Sequence, residues 1–406
     1  MQQVAPSKDK NRQPIAVWGY WLLLRLALSL MVLLASASHP QTVLEGAIGV
    51  WPPAGSPGAW LQRILLDPWL RWDAAYYLQI ASRGYSLDDG TALFHPLYPW
   101  LGRVVGYLLG GNMMAGLFVV SSVCGLLFLI LFERLARLDL PPDEARRASL
   151  YFVHVPVAFV LFAPYTESLF LLCSVMVFLM ARGGAWWFAG LSVALATLTR
   201  QQGIFLSIPL AWELWESSGR DRRKLLRNWR NVLSLAGGPM GLSFWLVYRA
   251  VTLGDVAFDA NRPQTLLYGL FISSSGTRVV EVQGLMPPWR AIWTALNTLT
   301  VTTAIDLVMG ALFLLLLIFG GRFLWRLRPS YLLYAITVIV LSFSFHTGPD
   351  KPYMGLPRHC MLAFPLFLPL ASWGRLRAVE TLIIVLGLSG VLLAAYIYGA
   401  HILWVP

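Results

Sequence analysis

The chain has 406 residues, of which 57% are hydrophobic and 13% charged, with a formal net charge of +11 and a mean hydropathy of +0.62. Soluble domains carry about 25% charged residues, so this composition excludes a soluble fold and calls for an all-α polytopic membrane protein. There is no Gly-rich phosphate loop following a strand and no soluble stretch of nucleotide-binding size, which argues against a nucleotide-sugar donor.

Apolar segments of bilayer-crossing length recur from end to end. They lie near 15–37, 112–132, 148–163, 166–181, 185–199, 202–216, 232–251, 299–320, 331–346, 358–373 and 379–400, giving about eleven transmembrane helices. Pro164, Arg200 and Pro209 interrupt the run between 148 and 216. The first segment follows Lys8, Lys10 and Arg12 and ends near Ala35-Ser36-Ala37, as a secretory signal would, but its apolar part exceeds the 7–15 residues usual for a signal core. It reads as a span.

The short loops hold Arg134, Arg137, Arg146 and Arg147, then the basic run from Arg220 to Arg230, then Arg322, Arg326, Arg328, Arg375 and Arg377. With an odd number of spans all of these share the cytoplasmic side with the N-terminal lysines, as the positive-inside rule requires. Much of the net charge is thereby accounted for by contact with membrane lipid headgroups, not nucleic acid. The two long loops, 38–111 and 252–298, fall outside the cytoplasm.

In the first of these loops, Asp67-Pro68 reads as a helix N-cap with proline at the first helical position, and Arg83-Gly84 as the last turn and its stop. On the short helix between them, Trp69, Trp72, Tyr76 and Ile80 form a stripe suited to lying in the membrane interface. Asp73, within Arg71-Trp72-Asp73-Ala74, is then a carboxylate near a helix N-terminus, with Tyr76 and Tyr77 one turn on. Such an acid suits a base that takes a proton from a sugar hydroxyl; the plain alternative is an acid that only complements the helix dipole.

Further along, Phe94-His95-Pro96-Leu97-Tyr98-Pro99 cannot form a regular helix and is expected to line a cavity, unless it is an ordinary loop with interface-anchoring tyrosines. Glu167, in Pro164-Tyr165-Thr166-Glu167-Ser168, is expected to be exposed at the outer boundary, and Thr199-Arg200-Gln201-Gln202-Gly203 places a cation at the same level. A structural Arg200–Glu167 pair is the bland reading of both. Arg358, in Pro357-Arg358-His359, is either a two-pronged phosphate ligand or a headgroup anchor. Asp255, Asp259 and Arg262 of the second loop read as solvated charges. Cys124, Cys173 and Cys360 sit in apolar segments as small hydrophobes, and the six histidines show no metal-ligand spacing.

The run Trp72-Asp73, Ile80-Ala81, Gly84-Tyr85, Phe94 and Pro96-Leu97-Tyr98-Pro99 resembles the first-loop motif of the PIG-V mannosyltransferase family. Tyr165-Thr166-Glu167-Ser168-Leu169-Phe170, Leu198-Thr199-Arg200 with Gly203, and Arg358 ahead of Phe364-Pro365 resemble its later motifs in the same order. The resemblance implies a single GT-C type domain over 1–406, with short amphipathic helices in the first outer loop. It also implies an inverting glycosyltransferase using a polyprenyl-phosphate sugar, by family expectation mannose, on the extracytoplasmic face of a cell or endoplasmic reticulum membrane. Its partners would be the lipid-linked donor, a glycan or glycolipid acceptor, and membrane lipid. Gln201-Gln202 after Arg200, and His95 where an aromatic is common, depart from the family pattern.

In that reading Asp73 is the catalytic base and Arg200 and Arg358 bind the donor phosphate. Trp72, Tyr76, Tyr77, His95, Tyr98, Glu167 and Gln201 are candidates for holding substrate, and no metal or cofactor is called for. A transporter or flippase of lipid-linked sugars is the alternative, although no internal repeat of the kind common in transporters is visible and the acids and arginines gather at one face.

Overall fold

The computed structural model describes residues 17–39, 59–254, 284–348 and 352–400. Among the described residues four helices are long and apolar enough to cross a membrane: Val17–Ser38, Met113–Ala136, Val301–Leu327 and Arg377–Ala400. In hydrocarbon no water satisfies a free N–H or C=O, so helices that close their own hydrogen bonds are the structure such sequences must take. Leu22, Leu23, Leu26 and Leu30 of the first helix are exposed on one side, while Trp21, Leu24 and Leu28 are buried on the other.

The remaining apolar segments are shorter or broken, so the expected count of about eleven does not correspond to eleven continuous helices. Segment 148–163 is the end of helix Pro142–Val153 followed by a 3-10 turn, Pro156–Leu161, because Pro156 cannot continue an α-helical hydrogen-bond ladder. Segment 202–216 begins as 3-10 at Gln201–Leu206 and becomes α-helical only at Ser207–Ser217. Segment 358–373 is divided among Leu356–Met361, a 3-10 turn at Phe364–Leu366 and Phe367–Trp373. Helices Glu167–Arg182, Trp186–Thr199, Gly237–Leu253 and Pro329–Ser344 are unbroken but short.

The first outer loop differs from the single helix expected over Asp67 to Gly84. A 3-10 turn, Asp67–Trp69, stops at Leu70, and a separate helix runs Asp73–Arg83. Trp69 and Trp72 therefore do not share a helical face with Tyr76 and Ile80. Trp69 and Ile80 are buried in the protein core, and of the expected interfacial stripe only Tyr76 is exposed. Helix Leu97–Leu108 then folds back on Met113–Ala136. Gly102, Gly106 and Gly116 permit this close approach, since a Cβ on Gly116 would overlap the Gly102 carbonyl.

Of the second long loop, 255–283, with Asp255, Asp259 and Arg262, lies outside the described residues. Gly284–Leu285 pairs antiparallel with Phe345–His346, in register Gly284 to His346, and Pro288–Asn297 is a short helix.

Ion pairs form two separated layers. Arg182 bonds Asp139 at 2.8 Å, with Tyr331 donating to the same carboxylate at 2.8 Å. Arg328 and Ser330 hold Glu213, and Arg375 meets Glu144 at 2.7 Å. The second layer surrounds Glu167, at the other end of the 16-residue Glu167–Arg182 helix. At 1.5 Å per residue the two layers are roughly 24 Å apart, close to the hydrocarbon thickness of a bilayer.

Candidate active site

Asp73 is the first residue of its helix, and the turn before it is held from several sides. Arg71, 6% exposed, donates to the carbonyls of Asp67 at 3.1 Å and Leu70 at 3.0 Å and to Ser36 Oγ at 3.3 Å. The Tyr398 hydroxyl donates to the Trp69 carbonyl at 2.8 Å. Between them Trp72 takes φ 52° and ψ −124°, a conformation that L residues rarely adopt. Among the described non-glycine residues only Trp72 and Arg220 have positive φ. The consequence is local: the chain turns sharply at Trp72, and the Asp73 carboxylate sits at the positive end of the following helix.

Four charged side chains from four parts of the sequence meet here. Arg358 Nη1 donates to Asp73 Oδ2 at 2.8 Å, and its Nε lies 3.2 Å from Glu167 Oε1. Arg200 Nη1 donates to the same Glu167 oxygen at 2.5 Å and to Thr166 Oγ1 at 2.9 Å, while its Nε donates to Gln202 Oε1 at 3.3 Å. The order Asp73–Arg358–Glu167–Arg200 alternates in sign and sums to zero. The Arg358 guanidinium also lies 5.3 Å from the Tyr165 ring centre, a cation–π contact.

The helices place these groups with favourable polarity. Glu167 opens Glu167–Arg182, as Asp73 opens Asp73–Arg83, and Arg200 follows the last turn of Trp186–Thr199. Acids at helix N-termini and a cation at a C-terminus each gain from the aligned peptide dipoles. Glu167 is 0% exposed, which corrects the expectation that it lies open at the outer boundary. Its Oε2 has no hydrogen-bond partner, and no hydrogen bond from a described residue reaches Asp73 Oδ1. Among the described residues each carboxylate thus keeps one oxygen without a donor.

The other candidates separate by environment. Tyr76 is exposed and stacks on Phe94 at 5.0 Å, and Trp72 is half-buried at the same turn. Tyr77 is buried edge-on against Phe94 and Tyr98, within electrostatic range of Asp73 and Glu167. Tyr98 packs against Tyr77, with ring centres 5.0 Å apart. It is 0% exposed, and its hydroxyl bonds the Leu117 carbonyl at 3.0 Å and Ser121 Oγ at 2.8 Å, so it ties two helices together. Gln201 makes none of the site's contacts; its neighbour Gln202 supports Arg200.

His95 packs 5.9 Å from the Trp245 ring, hydrogen-bonds the Thr197 backbone, and leaves a buried Nδ1 without a partner. Burial, with Arg249 and Arg200 nearby, pushes its pKa down to about 4, so it is a neutral imidazole near pH 7.

Sequence reading missed Arg71, Thr166, Gln202 and Asp306. Thr166 and Gln202 lie inside quoted motifs beside the residues they support. Asp306, 6% exposed in Val301–Leu327, carried the signal of a single acid in an apolar span. Among the described residues no group of His, Cys, Asp and Glu has the geometry of a metal site.

Residues 17–214, just under half of the chain, match the family described as Mannosyltransferase (PIG-V). The matched residues carry Asp73, Glu167 and Arg200, whereas Arg358 lies beyond them. No curated protein matches the chain by sequence. Among solved structures it is similar to ArnT from Cupriavidus metallidurans bound to undecaprenyl phosphate, at 13% identity and TM-score 0.48, over 94% of this chain and 64% of that one. It is similar also to the oligosaccharyltransferase AglB from Archaeoglobus fulgidus, in complex with an inhibitory peptide and a dolichol-phosphate, at 13% identity and TM-score 0.44, over 94% and 56%. The chain spans between half and two thirds of the length of these two proteins.

Proposed function

We propose that the chain is a GT-C type, inverting hexosyltransferase that moves a sugar, mannose by family, from a polyprenyl phosphate to a hydroxyl of a glycan or glycolipid. The observation that carries the reading is the Asp73–Arg358–Glu167–Arg200 chain, which sets a base beside two cations suited to phosphate. Arginine presents two parallel N–H groups to a phosphate and keeps its charge when buried.

In this mechanism Asp73 Oδ1 accepts the proton of the acceptor hydroxyl as that oxygen attacks the anomeric carbon. The new C–O bond forms on the face opposite the departing group, and the configuration inverts. The bond from the anomeric carbon to the phosphate oxygen breaks, and its electron pair leaves with the polyprenyl phosphate. Arg358 and Arg200 oppose the charge that grows there. A phosphate needs no strong acid to leave, so one carboxylate is sufficient, unlike the pair used in glycoside hydrolysis.

The extracytoplasmic placement is part of the proposal. The Asp73 layer lies at the end of Glu167–Arg182 opposite Arg182 and the basic segments around Arg137, Arg147 and Arg328, and basic loops favour the cytoplasmic side. The short and broken apolar helices between 142 and 217 complete a multi-pass bundle.

The test is incubation of the purified protein in lipid with polyprenyl-phosphate mannose and, separately, polyprenyl-phosphate glucose. Release or transfer of the hexose with inverted anomeric configuration is expected. Movement of either lipid across the bilayer with the sugar bond intact would replace the enzyme by a transporter.

A further inference from the structure

Asp306 is a carboxylate that the mechanism above does not use. It lies about a turn and a half into Val301–Leu327, on a buried face shared with Thr303 and Gly310. Gly310, one turn further on, packs directly against Leu356 and Phe343, so this face of the helix looks at the short Leu356–Met361 helix that carries Arg358. The Arg358 charge acts on Asp306, yet among the described residues no hydrogen bond or ion pair reaches the Asp306 carboxylate. Arg358 is engaged instead with Asp73 and Glu167.

An acid buried within a membrane helix and left without a donor is costly, and a ligand that supplies donors would offset that cost. What that ligand can be is limited by the neighbourhood. The polyprenyl chain offers only hydrocarbon, and the phosphate repels a carboxylate. A sugar held by its phosphate on Arg358 has its ring only a bond or two away, with hydroxyls that donate hydrogen bonds in pairs.

We propose that Asp306 is the sugar-recognition residue of the donor subsite, its carboxylate accepting hydrogen bonds from ring hydroxyls of the hexose whose phosphate Arg358 binds. The proposal rests on the reading of Arg358 as a phosphate ligand. A buried acceptor of this kind discriminates strongly, because a donor that lacks the matching hydroxyl leaves the carboxylate unpaired again. Asp306 would then distinguish a sugar-loaded lipid from the bare lipid phosphate, and one hexose epimer from another.

The experiment compares the affinities of sugar-free polyprenyl phosphate, polyprenyl-phosphate mannose and polyprenyl-phosphate glucose for the wild type, Asp306→Asn and Asp306→Leu in the same lipid. Leucine preserves packing in an apolar helix and both substitutions remove a buried ionisable acid, so both variants are expected to fold. Wild type should bind its preferred sugar-loaded lipid at least about tenfold more tightly than the bare phosphate. In Asp306→Leu that advantage should fall to within about threefold, with Asp306→Asn intermediate, while the bare phosphate binds as well as before or better.

An advantage that survives in both variants, or that wild type never shows, overturns the proposal. So does an equal loss for loaded and bare lipid, since Asp306 would then act on Arg358 alone. Turnover measured alongside separates the two readings. Sugar transfer with an unchanged advantage refutes the role of Asp306 and leaves the enzyme standing, whereas a lost advantage with no turnover of either donor does the reverse.

Discussion

Arg358 and Asp73 are separated by 285 residues of chain and meet at 2.8 Å, so that the proposed base and the proposed phosphate ligand hold each other. The arrangement gives the donor phosphate a way to act on the base, because a phosphate that takes up the Arg358 N–H groups must share them with Asp73. In the proposed mechanism donor binding and release of the base are thereby coupled through one guanidinium.

The first prediction concerns Asp73→Asn, which keeps the size of the side chain and a hydrogen-bond acceptor for Arg358 while removing the base. Transfer should fall by roughly 10²–10⁴-fold. Affinity for sugar-free polyprenyl phosphate should be retained or rise, since the competing anion is gone. A monodisperse variant with transfer within a few-fold of wild type would remove Asp73 from the mechanism.

The two arginines should not behave alike. Arg358 contacts both Asp73 and Glu167, whereas Arg200 is one carboxylate further from the base. Lysine keeps the charge but cannot make the two-pronged contact. Arg358→Lys is therefore expected to lower kcat and raise donor KM together, and Arg200→Lys chiefly to raise donor KM. Donor titration of both variants in the same lipid is the measurement, and unchanged constants in both would make these residues headgroup anchors.

Glu167 carries the arrangement that sequence could only half supply. Its motif placed it at a span end beside Arg200, and the Arg200–Glu167 pair was foreseeable as a structural contact. That the same oxygen also faces Arg358 depends on how the Leu356–Met361 helix packs, a long-range relation with no local signature. The aromatic surroundings of Asp73 were legible for the opposite reason, since Trp72, Tyr76 and Tyr77 lie within a few residues of it. The break at Trp72 was not legible. The Asp67-Pro68 and Arg83-Gly84 signals fit one continuous helix, and the tertiary anchors that divide it, Arg71 on Ser36 and Tyr398 on Trp69, come into view only in the packed structure. Tyr98 shows the same limit, because a tyrosine in a motif looks identical whether it faces a substrate or Ser121.

Replacing Glu167 by Gln keeps the shape but leaves Arg200 and Arg358 without their shared anion. Removing one partner of a buried ion pair typically costs about 3–5 kcal/mol. The variant should melt well below wild type and bind donor differently, and a dianionic polyprenyl phosphate should restore part of its stability by replacing the lost charge. An unchanged melting point with or without that lipid would show that the pair contributes little.

Trp72 tests whether its backbone conformation carries a cost. Alanine removes the ring but keeps a Cβ at φ 52°, whereas glycine removes both the ring and the steric conflict. Trp72→Gly should therefore be more stable than Trp72→Ala by about 1 kcal/mol or more. The difference between the two melting curves is the measurement. Equal stability, or a more stable alanine variant, would mean that the turn imposes no strain at that position.

His95 supplies a pH dependence with a defined sign. Its pKa is about 4 in the folded protein against about 6.5 when unfolded, because burial and the nearby Arg249 and Arg200 charges disfavour imidazolium. The unfolded state therefore binds a proton first as pH falls. The neutral histidine's contribution to stability is complete above about pH 6.5 and is lost progressively toward pH 4. Its size is on the order of 1–3 kcal/mol. His95→Gln, which does not titrate, should lose less stability than wild type between pH 7 and pH 4.5, with both measured as melting temperatures in one detergent. Between pH 6 and 8 the same neutral imidazole can exchange hydrogen bonds with a sugar hydroxyl but cannot serve as a phosphate-binding cation, so His95→Gln should leave affinity for sugar-free polyprenyl phosphate unchanged across that range. Parallel melting profiles for the two proteins, or a loss of lipid-phosphate affinity in the variant that grows as pH falls from 8 to 6, would show that His95 is charged in the folded site.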